Sequence, residues 1–479
     1  MLIHSLTQKP TLTAREARPK KAKTPPVDRF ESGAKSADIS GKSIKELVAA
    51  GADRGQLFKA LDNTLAQAKL APLSQVQADK LEKFCNDIPK VDLHRHLEGA
   101  ITPEALIEVA KKHNVDLPTY DVEKLRPMLS ITPEDAEAAD EDGLKVFLSK
   151  FDLIGKIFKN PDVIEDITFH VTKDCADDNL KYAELRFSPA YMAKTYGLDL
   201  EETTKAAVRG MEKASKKFGM PVGLIMIVER QMGVEKAWEV EELAAKYRDQ
   251  GVVALDLANN EYDFPPGPYK EVFQKAKQDG LKVTVHAGEV PVHHADPTIG
   301  GAFNVKTAIE ELGADRIGHG VKSIEDPELE QMLVDRQIPL ELCPTSNVQT
   351  QSVPSMEQHP LPHFKEIGAK VTINNDDPAV SNITLSDDYK NISQQFGFSA
   401  RDLRGFVNNG VDAAFTTDGV KSGLRKEIDQ GFEAAENELL GSLTLAELKA
   451  MALSAAGSDE EKNKIQQEFN GLTEWIVGE

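Results

Sequence analysis

A chain of 479 residues with a formal net charge of -21 exceeds one ordinary domain and has ample length to bury a core. The acidic balance argues against nucleic acid or anionic membrane as a partner, because phosphate contacts need clustered Lys and Arg; a small molecule fits better. Cys85, Cys175 and Cys343 stand far apart with no Cys-x-x-Cys spacing, and no apolar run reaches the about 18 residues a membrane helix needs. The expectation is a cytoplasmic protein with reduced thiols and no membrane partner, its oligomeric state unknown from sequence.

Residues 1–37 carry eight basic against three acidic residues and little apolar content, so they read as a flexible basic tail. From 38 to 86 apolar residues recur at helical spacing (Leu47, Leu57, Leu61, Leu65, Val76, Leu81, Phe84), which predicts a helical N-terminal cap. Next comes Lys-Val-Asp-Leu-His-Arg-His-Leu-Glu-Gly, Lys90 to Gly99. Alternate side chains of a strand share a face, so His94 and His96 point the same way and Arg95 the opposite way.

Eight strand-length apolar runs then alternate with helical periodicity: Val91 to His94, Tyr182 to Phe187, Val222 to Val228, Val252 to Leu257, Val283 to His286, Arg316 to His319, Leu340 to Cys343 and Val371 to Asn374. Expected helices between them include Leu144 to Phe158, Thr203 to Phe218, Trp238 to Tyr247 and Met356 to Ile367. Strand–helix alternation repeated eight times predicts an α/β protein, a (β/α)8 TIM barrel over 87–435. The long interval after the first strand holds extra helices and an acidic solvated loop, Glu134 to Asp142. Helices over Phe396 to Val407 and Val420 to Ala435 complete the barrel, and 436–479 reads as a C-terminal helical extension.

A barrel gathers its strand ends at one mouth. The first strand supplies His94 and His96; the fifth ends His286-Ala287-Gly288-Glu289, the sixth ends at His319, and the eighth runs into Asp376-Asp377. Imidazoles with a carboxylate suit a borderline divalent ion such as zinc. Other histidines are set aside. His293 and His294 lie in a Pro-flanked loop, and prolines deny His359 and His363 a shared helical face, so these four are expected to face solvent. His113 and His170 read as structural.

His-Arg-His-Leu-Glu-Gly, His-Ala-Gly-Glu, Gly-His-Gly, Cys-Pro-Thr-Ser-Asn and Asn-Asn-Asp-Asp-Pro, in that order at those strand ends, resemble the adenosine deaminase family of metal-dependent amidohydrolases. The likeness spans roughly 87–435. It implies one zinc ion per chain held by His94, His96, His286 and Asp376. Two-metal relatives carry a bridging lysine at the end of strand four, and Ala254-Leu255-Asp256-Leu257-Ala258 has none. By the same resemblance His319 orients and helps deprotonate the attacking water, Glu289 protonates purine N1, and Asp377 bonds N7. Glu289 must then keep its proton, which calls for a dry pocket.

The resemblance points to hydrolytic deamination of adenosine and 2'-deoxyadenosine, a purine nucleoside substrate. Two departures bear on specificity. Glu98 stands where adenosine-specific members carry a ribose-contacting Asp, and it also resembles adenine and aminofutalosine deaminases. Asn259 replaces the glycine whose N–H approaches purine N3, while the surrounding Asp256-Leu257-Ala258-Asn259-Asn260-Glu261 follows the nucleoside type. Adenine or 6-aminodeoxyfutalosine deamination is the alternative; a silent purine-binding protein is the third reading.

Overall fold

The computed structural model describes residues 39–138, 143–296 and 298–477, so the basic tail lies outside the described residues. Eight parallel strands pair in chain order: β1 (Lys90–His96), β2 (Leu180–Phe187), β3 (Val222–Glu229), β4 (Val252–Ala258), β5 (Lys282–Ala287), β6 (Arg316–His319), β7 (Leu340–Leu342) and β8 (Val371–Ile373). Parallel neighbours require crossovers, which helices such as Leu200–Phe218, Gly233–Tyr247, Lys270–Gln278 and Pro327–Arg336 supply. The barrel closes just beyond β8. There the Asp376 N–H donates to His94 O and the His96 N–H donates to Asp376 O, both at 2.8 Å. Closure therefore places the first and last strand ends of the expected site side by side.

Six of the eight expected strands lie within the observed ones, and β7 and β8 stop one residue early, at Leu342 and Ile373. The helices depart more. The one expected over Phe396 to Val407 is two, Leu385–Phe396 and Ala400–Ala413. Gly397 turns left-handed at φ 67, and the Ser399 hydroxyl caps the next helix by accepting the Asp402 N–H at 3.3 Å. Leu144 to Phe158 is divided into Gly143–Ser149 and Phe151–Ile154, and Met356 to Ile367 is broken at Pro360. The acidic stretch expected as a loop opens in a helix, Pro133–Ala138, and residues 139–142 lie outside the described ones.

Barrels of this kind are usually filled by Val, Ile and Leu. This one carries charge through its centre. Arg186 donates to Asp256 Oδ2 at 2.9 Å, Glu341 Oε2 at 2.8 Å and Leu93 O at 2.7 Å, and Arg316 joins Glu341 to Glu184. All five side chains are buried. Buried ions repay their desolvation only when geometry and hydrogen bonding are good, and here each guanidinium holds two carboxylates at once.

The helices before β1 and after the barrel pack on one another. Ser43 and Thr444 form an antiparallel bridge, and the Leu445 N–H donates to Lys42 O at 2.8 Å. Glu468 caps the helix Asp62–Ala68, accepting the N–H groups of Asn63 and Thr64 at 2.9 and 2.8 Å and the Thr64 hydroxyl at 2.6 Å. The division drawn at 435/436 falls inside a single helix, Asp418–Ser442. Among the described residues no helix is long and apolar enough to cross a membrane.

Candidate metal centre and active site

His94, His286, His319 and Asp376 present ligand-type atoms that all lie within 4.8 Å of one another. His96 completes the group: its Nε2 is 3.1 Å from His286 Nε2 and 3.2 Å from Asp376 Oδ1. Two ring nitrogens that close need a proton or a metal ion between their lone pairs. His94 Nε2 is buried without a hydrogen-bond partner, 3.3 Å from the same Asp376 oxygen. The opposite ring atoms are held by carboxylates: His94 Nδ1 lies 2.8 Å from Glu341 and His286 Nδ1 lies 3.0 Å from Asp256. A carboxylate on Nδ1 keeps the proton there and leaves Nε2 free to ligate. The donor set thus fits a divalent cation, and distance alone does not separate His319 from it.

The backbone is built for this convergence. His319 and Asp376 both adopt left-handed conformations, at φ 60 and φ 59, a cost that non-glycine residues carry where surrounding structure enforces it. A Cβ on Gly318 would sit 2.9 Å from the His94 ring, and one on Gly99 would sit 1.8 Å from Asp377 Oδ1. Glycine at those two positions lets the rings and the carboxylate close in.

A cavity of about 260 Å³ opens over the cluster, and Glu98, Asn259, Glu289, His319, Asp376 and Asp377 line it. The structure therefore brings together all nine residues singled out from the sequence. Burial, Asp376 and Glu261 push the Glu289 carboxyl up to about 8, the shift its expected role required. Burial also raises Glu98 to about 8 against the Ser188 N–H, which Glu98 Oε1 accepts at 2.7 Å, while Oε2 is left unpartnered. Asp377 is raised well above the usual range by burial, then by Asp376, Glu98 and Glu289, and its Oδ1 has no partner. Asn259 adopts φ 77, the left-handed backbone that asparagine tolerates. Phe147, Phe151 and Tyr191 form the apolar side of the cavity.

A model of the family described as adenosine deaminase matches residues 89–431. The chain belongs to the adenosine deaminase family. An adenosine deaminase of Shewanella loihica is 38% identical over 338 residues, 70% of this chain and 97% of its own length. Among solved structures, an adenine deaminase from Arthrobacter aurescens is 27% identical with a TM-score of 0.63, over 72% of this chain and 98% of the other. Arabidopsis ADAL, solved in complex with GMP, is 27% identical with a TM-score of 0.61, over 72% of this chain and 98% of its own.

Around the adenosine deaminase motifs stand residues to which the sequence assigned no role. Glu341 and Asp256 hold the Nδ1 atoms of His94 and His286, and Arg186 bridges those two carboxylates. Glu261 grips the backbone under Glu289, accepting the N–H groups of Gly288, Glu289 and Val290 at 2.7, 3.0 and 3.3 Å. Ser346 donates to Asp376 Oδ2 at 2.6 Å. The available signal was a charged residue inside an apolar parallel strand, as in Leu340-Glu341-Leu342. One expectation is corrected: His359 is buried, not solvent-facing, and its burial is met by hydrogen bonds at both ring nitrogens, to Asn347 Oδ1 and from the Leu361 N–H. His293 and His363 are half-buried and His294 is exposed. His113 bonds Asp166, and His170 lies 3.8 Å from Glu108.

Proposed function

We propose that this chain hydrolytically deaminates adenosine and 2'-deoxyadenosine to inosine or deoxyinosine and ammonia, with one zinc ion held by His94, His96, His286 and Asp376. The supporting observation is the pairing of a cation-ready cluster with a carboxyl, Glu289, that retains its proton beside it. When bound, zinc supplies Lewis-acid activation of water.

The protein's own groups do the rest. Glu289 holds its proton toward N1, and protonation there makes C6 electrophilic. N7 of a purine is an acceptor, so Asp377 serves it only as a donor, in keeping with the raised carboxyl of that residue. Glu98 and Asn259 face the sugar and the N3 edge. The walls of Phe147 and Phe151 exclude water from the base. Membership of the family and its curated relatives, such as the adenosine deaminase of Shewanella loihica, support the nucleoside reading.

The test is a panel of 6-aminopurines followed by the loss of adenine-type absorbance, with product identified as inosine. Glu98, one methylene longer than the Asp of nucleoside-type members, favours adenine or 6-aminodeoxyfutalosine as the second reading. Turnover of adenine without adenosine would establish it and reject the first.

A further inference from the structure

Behind His319, on the side away from the cavity, a hydrogen-bonded row of two side chains ends on a backbone group. Its fixed point is the Leu361 N–H, which can only donate; it reaches His359 Nδ1 at 3.1 Å. His359 is therefore bare at Nδ1. Burial lowers the ring to about 3, so it stays neutral and carries its one proton on Nε2. That N–H donates to Asn347 Oδ1 at 3.2 Å. With its oxygen so occupied, the Asn347 amide turns its NH2 toward His319 and donates to Nδ1 at 3.0 Å. A proton on His319 Nδ1 would face that NH2 head-on. With Nδ1 accepting, the ring proton of His319 must sit on Nε2, the atom 3.7 Å from Glu289 and 3.9 Å from Asp376.

We infer that Asn347 and His359 are positioning residues that hold His319 as the Nε2–H tautomer, so that His319 meets the attacking water as a hydrogen-bond donor and not as the acceptor of its proton. A neutral imidazole with Nε2–H has no lone pair to offer at that atom. The water's role rests on the function proposed above, whereas the tautomer rests on the hydrogen bonds alone.

The experiment is side-chain 15N–1H correlation spectroscopy of histidine-labelled protein, metal-free and zinc-loaded, with His319→Gln identifying the His319 signals. The expected result is an unprotonated Nδ1 and a protonated Nε2. Asn347→Asp replaces the donor by an acceptor and is expected to move the proton to Nδ1, leaving zinc content and KM close to wild type while kcat falls at least ~10-fold. His359→Gln, which removes the bare nitrogen that receives the Leu361 N–H, is expected to yield mixed tautomers and a smaller loss of kcat. A His319 proton on Nδ1 in the wild-type protein overturns the inference whatever the activity. A tautomer switch in Asn347→Asp with kcat unchanged overturns the donor role. Absence of turnover on every purine, with the Nε2–H tautomer observed, condemns the proposed function but not the positioning.

Discussion

Glu341 Oε2 lies 2.8 Å from His94 Nδ1 at the centre of the barrel, and the same carboxylate is shared by Arg186 and Arg316. One acidic group thus orients a metal-ready imidazole and bridges two buried cations, whose other partners are Asp256 and Glu184. Although burial opposes ionisation, Arg186 and Arg316 hold Glu341 well below the usual carboxylate range. Glu341→Gln removes the charge at nearly constant shape. Zinc affinity, measured against a competing chelator, is expected to fall about 10–100-fold. The metal-free variant is also expected to lose about 3 kcal/mol in denaturant unfolding, because each guanidinium loses one of its two buried carboxylate partners. Unchanged zinc affinity would remove Glu341 from the centre.

Glu289 is expected to govern the alkaline limb of activity. Its carboxyl, raised to about 8 by burial and then by Asp376 and Glu261, must be protonated to donate. A raised acid keeps its proton to higher pH, so kcat/KM stays level below that value and falls as pH climbs through it. Glu289→Gln should retain zinc and lose about 10²–10⁴ in kcat. Equal turnover by that variant would withdraw the proton-donor role.

Much of this architecture is written locally, and some of it is not. The eight apolar runs and the histidines at their ends identify themselves, since strand period and turn residues are neighbour properties. His359 shows where that fails. The prolines between it and His363 deny the pair a helical face and so read as solvent-facing, yet the ring is buried with both nitrogens hydrogen-bonded, to Asn347 and to the Leu361 N–H. Arg186, Asp256 and Glu341 lie as much as 155 residues apart and acquire meaning only when the barrel closes. Helix ends went astray for a similar reason: Gly397 and Ser399 stop one helix and start another within an otherwise continuous apolar pattern.

Glu468 offers a separable test of the terminal helices. It caps the helix Asp62–Ala68 through three hydrogen bonds across about 400 residues of sequence, remote from the cavity. Glu468→Ala is expected to lower unfolding free energy by about 1–2 kcal/mol with kcat and KM unchanged. A loss of activity at full stability would mean that these helices reach the site by a route the packing does not show.

Glu98 should read the sugar. Glu98 lines the cavity, its Oε1 tied to the Ser188 N–H and its Oε2 buried without a partner. Glu98→Asp withdraws the free oxygen by one methylene, and the ratio of kcat/KM for adenosine against adenine is expected to change by about 10-fold. An unaltered ratio would show that this carboxylate does not touch the variable part of the substrate.

Lys90 allows a stability prediction with a definite sign. It is fully buried at the start of β1, donates to Cys85 O and Ile88 O at 2.9 and 3.0 Å, and lies 3.9 Å from Asp178. Burial lowers its ammonium from 10.5 to about 8, with Asp178 opposing. Between those two values the unfolded chain holds more protons than the folded one, so this group makes stability rise with pH across that window. Below about pH 8 both states are charged and the burial cost is felt in full. Lys90→Met abolishes the dependence. Its stability relative to wild type, measured in denaturant, is therefore expected to be about 2 kcal/mol more favourable at pH 7 than at pH 9.5. Lost carbonyl contacts shift both measurements alike and leave the difference intact. A pH-independent difference would mean that Lys90 keeps its charge throughout, held by Asp178 more firmly than a 3.9 Å separation suggests.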